Sequence, residues 1–144
     1  ENNLRIPGRL EVCGVPLDLG AITAPAYIVA TREDHIVPWK SAYTSVGLLG
    51  GHSEFVLGAS GHVAGIVNPA AKNRRHFWLN SSAAADADAW LADATQQAGS
   101  WWKHWAPWLR NRSGRQMPAP EMPGNRQYPA LEPAPGRYVK EKSV

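Results

Sequence analysis

The strongest constraint on the fold is the stretch from Tyr27 to His62. Two short apolar runs, Tyr27 to Ala30 and Phe55 to Leu57, flank a segment with helical spacing. The first run leads into T-R-E-D-H and the second into G-A-S-G-H. Apolar runs without polar alternation suit parallel strands buried on both faces. Trp39, Tyr43, Val46 and Leu49 recur at helical intervals after Pro38. That spacing predicts a crossover helix over 38–49, with Pro38 in its first turn. The pattern therefore predicts an α/β fold in which neighbouring parallel strands deliver Asp34 and His62 just past their C-terminal ends. Open α/β sheets place their sites there.

An acid followed by a histidine matches the last two members of an α/β-hydrolase triad, whose chain order is nucleophile, acid, histidine. Asp34 and His62 are thus the candidate catalytic residues. Read alone, Glu33-Asp34-His35 is equally an ordinary charged loop. The chain has no G-x-C-x-G or G-x-S-x-G elbow, and Gly58-Ala59-Ser60-Gly61 has its second glycine one place too early. The only cysteine, Cys13, precedes the acid in E-V-C-G-V and reads as a packed structural thiol.

The strings R-E-D-H-I-V-P-W and F-V-L-G-A-S-G-H-V-A-G-I-V-N-P-A-A-K-N also resemble the C-terminal part of class I polyhydroxyalkanoate synthases. The resemblance runs back through C-G-V-P-L-D-L to E-N-N-L-R-I-P-G, and forward to G-S-W-W and E-P-A-P-G-R-Y-V-K. It implies the C-terminal part of an α/β-hydrolase fold and a Cys-Asp-His triad, with Asp34 as acid and His62 as base. The cysteine would lie outside this chain, which is then the C-terminal part of a longer synthase and inactive alone. The implied reaction polymerises (R)-3-hydroxyacyl-CoA into polyester with release of CoA. Coenzyme A enters as part of the substrate, so no cofactor is implied. The implied partners are the growing polyester, a second copy through the full-length protein, and a granule surface in the cytoplasm. Two other readings share these residues. One is an esterase or polyester depolymerase, separated by the elbow residue. The other is a non-catalytic granule-binding module.

Residues 1–25 read as a connector, leading by resemblance from the lid or cap region into the core. The α/β core follows over 26–80, C-terminal helices over 81–110, and a Pro-rich extended basic tail over 111–144. Val63 to Val67 suggests a short helix. Ser81-Ser82 suits the cap of a helix that buries Ala87, Trp90, Leu91, Ala94 and Ala98, with Asp86 and Asp88 near its positive end. Gly99 ends it. Trp101, Trp105 and Trp108 then share one helical face, either docked on the core or exposed as a stripe. Pro107 bends or restarts that helix. Seven of the 12 prolines lie from Pro107 to Pro135, and Tyr128, Leu131 and Tyr138 are the candidate anchors of the tail.

Charge is uneven. Residues 1–99 hold 7 Lys/Arg against 9 Asp/Glu, and residues 100–144 hold 8 against 3. No nucleic-acid motif accompanies the basic end. Lys72, Arg74 and Arg75 form a small cluster that either contacts coenzyme A phosphates or is a solvated loop. It lacks a glycine-rich phosphate loop, so the CoA-binding residues stay unassigned. No two histidines stand at zinc-ligand spacing, so no metal is expected. No apolar run approaches the roughly 18 residues of a transmembrane segment. One cysteine suits a reducing cytoplasm.

Overall fold

Strands β1 (Glu11–Val12) and β2 (Val15–Pro16) form a small antiparallel hairpin near the start of a computed structural model, which describes residues 2–82 and 84–142. Its turn is Cys13-Gly14, with φ of 52° and 78°. Two consecutive positive φ angles are what a two-residue hairpin turn needs. The hairpin is exposed, so Cys13 is a free, exposed thiol and not a packed one. The turn lifts its side chain off the body.

The chain divides into one unit through Arg112 and a second from Ser113. The first is organised by a four-stranded sheet in the order β3 (Ala26–Thr31), β4 (Ser53–Gly58), β5 (His76–Leu79), β6 (Thr95–Ala98). β3 and β4 are parallel, with Ile28 opposite Phe55 and Thr31 opposite Gly58. β5 and β6 continue the sheet antiparallel. The sheet is therefore mixed, not wholly parallel. The connection from β4 to β5 contains turns, Asn68-Pro69 and three left-handed residues, Ser60, Asn73 and Arg75, in place of a crossover helix. Within it, 63–67 forms only isolated helical turns.

The β3–β4 crossover is shorter than its spacing suggests. Helix α1 (Trp39–Tyr43) tightens into a 3-10 segment, Thr44–Gly47. The Thr44 hydroxyl donates to the Ser41 carbonyl at 2.6 Å, a local bond that competes with helix continuation. The chain then turns so tightly at Gly51 that a Cβ would strike the carbonyls of Thr23 and Ala24.

The largest departure lies in 81–98. Helix α2 spans only Ala87–Ala92. Its cap is Asp86, whose carboxylate accepts the Ala89 N–H at 2.8 Å, not Ser81 or Ser82. The remaining stretch forms β6, with Thr95 opposite Leu79. Ala98 is exposed, and Ala94 half-buried. Pairing satisfies backbone groups that β5 would otherwise leave open. A wholly exposed edge strand carries no apolar alternation, so T-Q-Q-A could extend an apparent helix.

Alternation along the strands builds two cores. On one face Ala30, Phe55, Leu57 and Trp78 pack with Trp39 and Tyr43 of α1 and Trp90 of α2. Phe55 meets the Tyr43 and Trp90 rings edge-on at 5.0 and 4.9 Å. Such pairs add about 0.5–1.5 kcal/mol each to area burial. On the other face Val56 and Phe77 pack with Trp101, and Trp102 and Trp105 lie against them. The last two belong to α3 (Trp102–Arg110), which contains Pro107. Trp108 meets Tyr27 edge-on at 5.2 Å, so the tryptophan face docks on the sheet.

In the second unit every described residue except Gly136 is exposed. Tyr128, Leu131 and Tyr138 are 68%, 90% and 85% exposed, so none of them is buried within this unit. Order there is local, as where Asn125 Oδ1 accepts the N–H groups of Gln127 and Tyr128. No helix of the described residues is long and apolar enough to cross a membrane.

Candidate active site

Thr31 ends β3, and a turn closed by the Asp34 N–H on the Thr31 carbonyl brings Asp34 over the strand end. Its Oδ1 accepts the N–H groups of Ile36 and Val37, each at 2.9 Å. That turn leads through Pro38 into α1. Two backbone donors on one oxygen fix the carboxylate and leave Oδ2 directed at a neighbour.

The neighbour is His62. Gly58 ends β4, and the chain turns through Ala59-Ser60-Gly61. Ser60 alone in this turn takes a left-handed backbone, φ 78°; the flanking glycines do not. A non-glycine there costs roughly 1–2 kcal/mol. The contacts around it hold it, since Glu33 N–H donates to the Ser60 carbonyl at 3.1 Å and Arg32 N–H to the Gly58 carbonyl at 2.8 Å. The acid loop thus grips the histidine loop by its backbone. His62 Nδ1 then lies 2.8 Å from Asp34 Oδ2.

The Asp34 carboxyl is held at about 2, below its ordinary 3.8. The Val37 N–H is the main cause; desolvation opposes it, and His62 and the Ile36 N–H help. At neutral pH Asp34 is therefore an acceptor only, so Nδ1 of His62 carries the proton and donates. A neutral imidazole then presents its lone pair on Nε2. The Asp34 side chain is 8% exposed and that of His62 43% exposed. Among the described residues nothing hydrogen-bonds Nε2. The pair can take a proton at Nε2 and stabilise the resulting cation through Asp34.

No family model matches the chain. It is 52% identical over 143 residues, 99% of its length, to the poly(3-hydroxyalkanoate) polymerase subunit PhaC of Cupriavidus necator. It is 45% identical over 98% of its length to poly(3-hydroxyalkanoate) polymerase 1 of Ectopseudomonas oleovorans. Over 90% of its length it is 42% identical to PhaC of Rhizobium etli. Over this length the chain is homologous to poly(3-hydroxyalkanoate) polymerases. It spans only about a quarter of the first two relatives, 24% and 25%, and 20% of the third.

Other residues of this polymerase-related chain stand apart from the pair. Cys13 sits on the exposed hairpin turn. Glu33 contributes its backbone N–H, and His35 is exposed. Lys72, Arg74 and Arg75 are exposed. Trp39 is buried in the core. Ile36, Val37, Val63 and Val67 are exposed aliphatic residues on or beside the two site loops.

Sequence reading missed two supports. One is the donor pair on Asp34, for which an aspartate two and three residues before amide donors is the signal. The other is Gly65, which approaches so closely that a Cβ would strike Thr31 Cγ2 and lie 2.8 Å from the Ala59 carbonyl oxygen. Only its place in S-G-H-V-A-G hinted at that.

Proposed function

We propose that this chain is the C-terminal segment of a class I polyhydroxyalkanoate synthase with an α/β-hydrolase core, and that Asp34 and His62 complete a Cys-Asp-His triad. Its cysteine comes from a part of the polymerase outside this chain. The observation that carries the reading is the oriented dyad, with His62 Nδ1 2.8 Å from Asp34 Oδ2 on a histidine side chain that is itself 43% exposed. The polymerase names of its relatives supply the substrate class.

In this mechanism Nε2 of His62 removes the thiol proton of the cysteine. The thiolate attacks the carbonyl carbon of an (R)-3-hydroxyacyl-CoA, the C–S bond to coenzyme A breaks, and the departing thiolate takes the proton from His62. The acyl group is now a cysteine thioester. Nε2 next removes the proton of a 3-hydroxyl, whose oxygen attacks that thioester. An ester bond forms, the cysteine sulfur leaves with the proton, and the chain grows by one unit. Asp34 keeps Nδ1 protonated throughout and steadies the imidazolium.

The aliphatic residues around the dyad and the free outer edge of β3 suit coverage by the rest of a longer polymerase. The working protein would be a cytoplasmic homodimer at the polyester granule surface. The test is coenzyme A release from (R)-3-hydroxybutyryl-CoA by the full-length polymerase. His62→Ala should abolish release and polymer formation, whereas Cys13→Ser should leave most of both. Retained activity in His62→Ala would overturn the assignment.

A further inference from the structure

The segment G-S-W-W, at 99–102, has no part in the chemistry just described, yet it grips the loop that carries it. Trp101 Nε1–H donates to the Gly65 carbonyl at 3.1 Å. Trp102 Nε1–H donates to the Ile66 carbonyl at 3.0 Å. The Ser100 hydroxyl donates to the Asn68 carbonyl. Three consecutive side chains therefore hold three carbonyls of a four-residue stretch that begins three residues after His62.

Two of those carbonyls, Gly65 and Asn68, depend on outside donors. Gly65 N–H closes on the Gly61 carbonyl and Val67 N–H on that of Val63, each at 2.8 Å. The loop is thus made of single helical turns, whose last carbonyls lack a donor in the next turn. The Ile66 carbonyl accepts the Asn68 N–H at 3.0 Å as well as the Trp102 indole. Among the described residues the only donors to the Gly65 and Asn68 carbonyls are Trp101 and Ser100. The clamp is rigid on its own side. Ser100 is fully buried, Trp101 is buried against Val56 and Phe77, and its ring stacks on Tyr27 at 6.3 Å. Ser100 N–H donates to Asn73 Oδ1 at 3.1 Å, and its hydroxyl accepts the Trp102 N–H at 3.2 Å. Gly99 takes φ 95° against Asn73, where a Cβ would collide with that side chain. Across the loop, Gly65 rests on Thr31. The His62 loop lies between the acid loop, which holds Gly58 and Ser60, and the clamp, which holds 65–68.

We propose that Ser100, Trp101 and Trp102 are positioning residues for His62, holding its loop by three backbone carbonyls so that the imidazole stays aligned with Asp34. The inference rests on the triad reading above. None of the three side chains touches the imidazole, so their effect on the reaction passes through the loop. Misplacement of a catalytic group by about 1 Å can lower turnover on the order of a hundredfold. Loss of one clamp bond should produce part of that.

Trp102→Phe, Trp101→Phe and the double variant test this in the full-length polymerase, because phenylalanine keeps a ring and removes the N–H. The expected result is a kcat lower by roughly tenfold for Trp102→Phe and roughly a hundredfold for the double variant. KM for (R)-3-hydroxybutyryl-CoA and the melting temperature of Trp102→Phe should be unchanged. Amide hydrogen exchange over 61–67 should accelerate. Faster exchange with unchanged kcat, or no change in either, overturns the proposal. If Trp101→Phe loses stability, Trp102→Phe decides, since its ring is half-buried and off the centre of the core. His62→Ala assayed alongside separates the two ideas. An active His62→Ala removes the triad reading, whereas an inactive one with wild-type Trp102→Phe removes only the clamp.

Discussion

Asp34 and His62 stand 28 residues apart in the chain, and their side chains meet at 2.8 Å. The meeting depends on β3 and β4 being parallel and in register, so that Thr31 lies opposite Gly58 and both loops leave the same sheet edge. The carboxylate is anchored by two backbone donors, and the imidazole is left with one nitrogen free to work.

Asp34→Asn should inactivate the full-length polymerase without unfolding it. If the amide oxygen keeps the Ile36 and Val37 donors, the amide NH2 faces Nδ1 of His62. Nδ1 must then accept, which puts the proton on Nε2 and removes the base. A fall in kcat on the order of 10³–10⁴ is expected, with little change in melting temperature. Near-wild-type turnover would show that Asp34 does not set the tautomer.

Acid stability should carry the mark of the same carboxylate. Its folded pKa, about 2, lies below the ordinary 3.8, so the unfolded chain binds the proton first as pH falls. The stabilisation is complete above the unfolded value and is lost as pH drops through about 2. Urea midpoints of wild type and Asp34→Asn should therefore keep a constant gap from about pH 7 to 5, which narrows toward pH 2. A gap independent of pH would contradict this.

At the other end of the strands Tyr27 and Glu54 are register partners, and His104 of α3 joins them. The Tyr27 hydroxyl lies 2.8 Å from His104 Nδ1, and His104 Nε2 lies 3.2 Å from Glu54 Oε1. Burial pushes the Tyr27 phenol up strongly, with the Glu54 carboxylate adding to it. The unfolded chain therefore loses this proton first as pH rises. Stability should be full below about pH 10 and fall above it. Tyr27→Phe should flatten that alkaline decline, while costing about 1 kcal/mol at pH 7 for the lost hydrogen bond. Denaturant titrations at pH 7 and near the alkaline limit measure both, and an unchanged slope rules the idea out.

Gly65→Ala should damage the site through packing. The added methyl would meet Thr31 Cγ2 and lie within 2.9 Å of the Gly61 carbonyl. Overpacking of this kind costs typically 1–3 kcal/mol, and here it displaces the histidine loop. Both melting temperature and polymer synthesis should drop. Ala59→Gly, at a buried position in the same turn, is a useful contrast. Wild-type behaviour of Gly65→Ala would mean the turn relaxes freely.

The tail offers a simple deletion. Its described side chains are exposed throughout, and the only half-buried residue there is Gly136. Ending the chain at Arg112 should leave the melting temperature of the first unit within about 2 °C, since surface changes away from packed features fall within about 0.5 kcal/mol. A larger drop in calorimetry would show that the tail supports the first unit.

Local information reached as far as the two strand ends. Apolar runs at 27–30 and 55–57 must be buried, and burial on both faces puts their polar ends at one sheet edge. That made Asp34 and His62 candidates among 12 acids and five histidines, and the resemblance of D-H-I-V-P-W and S-G-H-V-A-G to the synthase family was what singled them out. Residues whose roles depend on distant partners were not legible in this way. Thr95 to Ala98 forms a strand because β5 needs a partner, although its own polar sequence carries no strand period. Tyr128, Leu131 and Tyr138 have the chemistry of buried residues, yet their own unit leaves them exposed, because burial depends on partners that side-chain type does not specify. Cys13 looked packed by its apolar neighbours, and a hairpin turn placed it outside. The indoles of Trp101 and Trp102 hold carbonyls 36 residues away. A hydrogen bond to a backbone carbonyl leaves no trace in the identity of the residue that accepts it, because every residue has one. Sequence thus determined which side chains are candidates for the chemistry, and only the tertiary structure decided that they meet and what holds them in place.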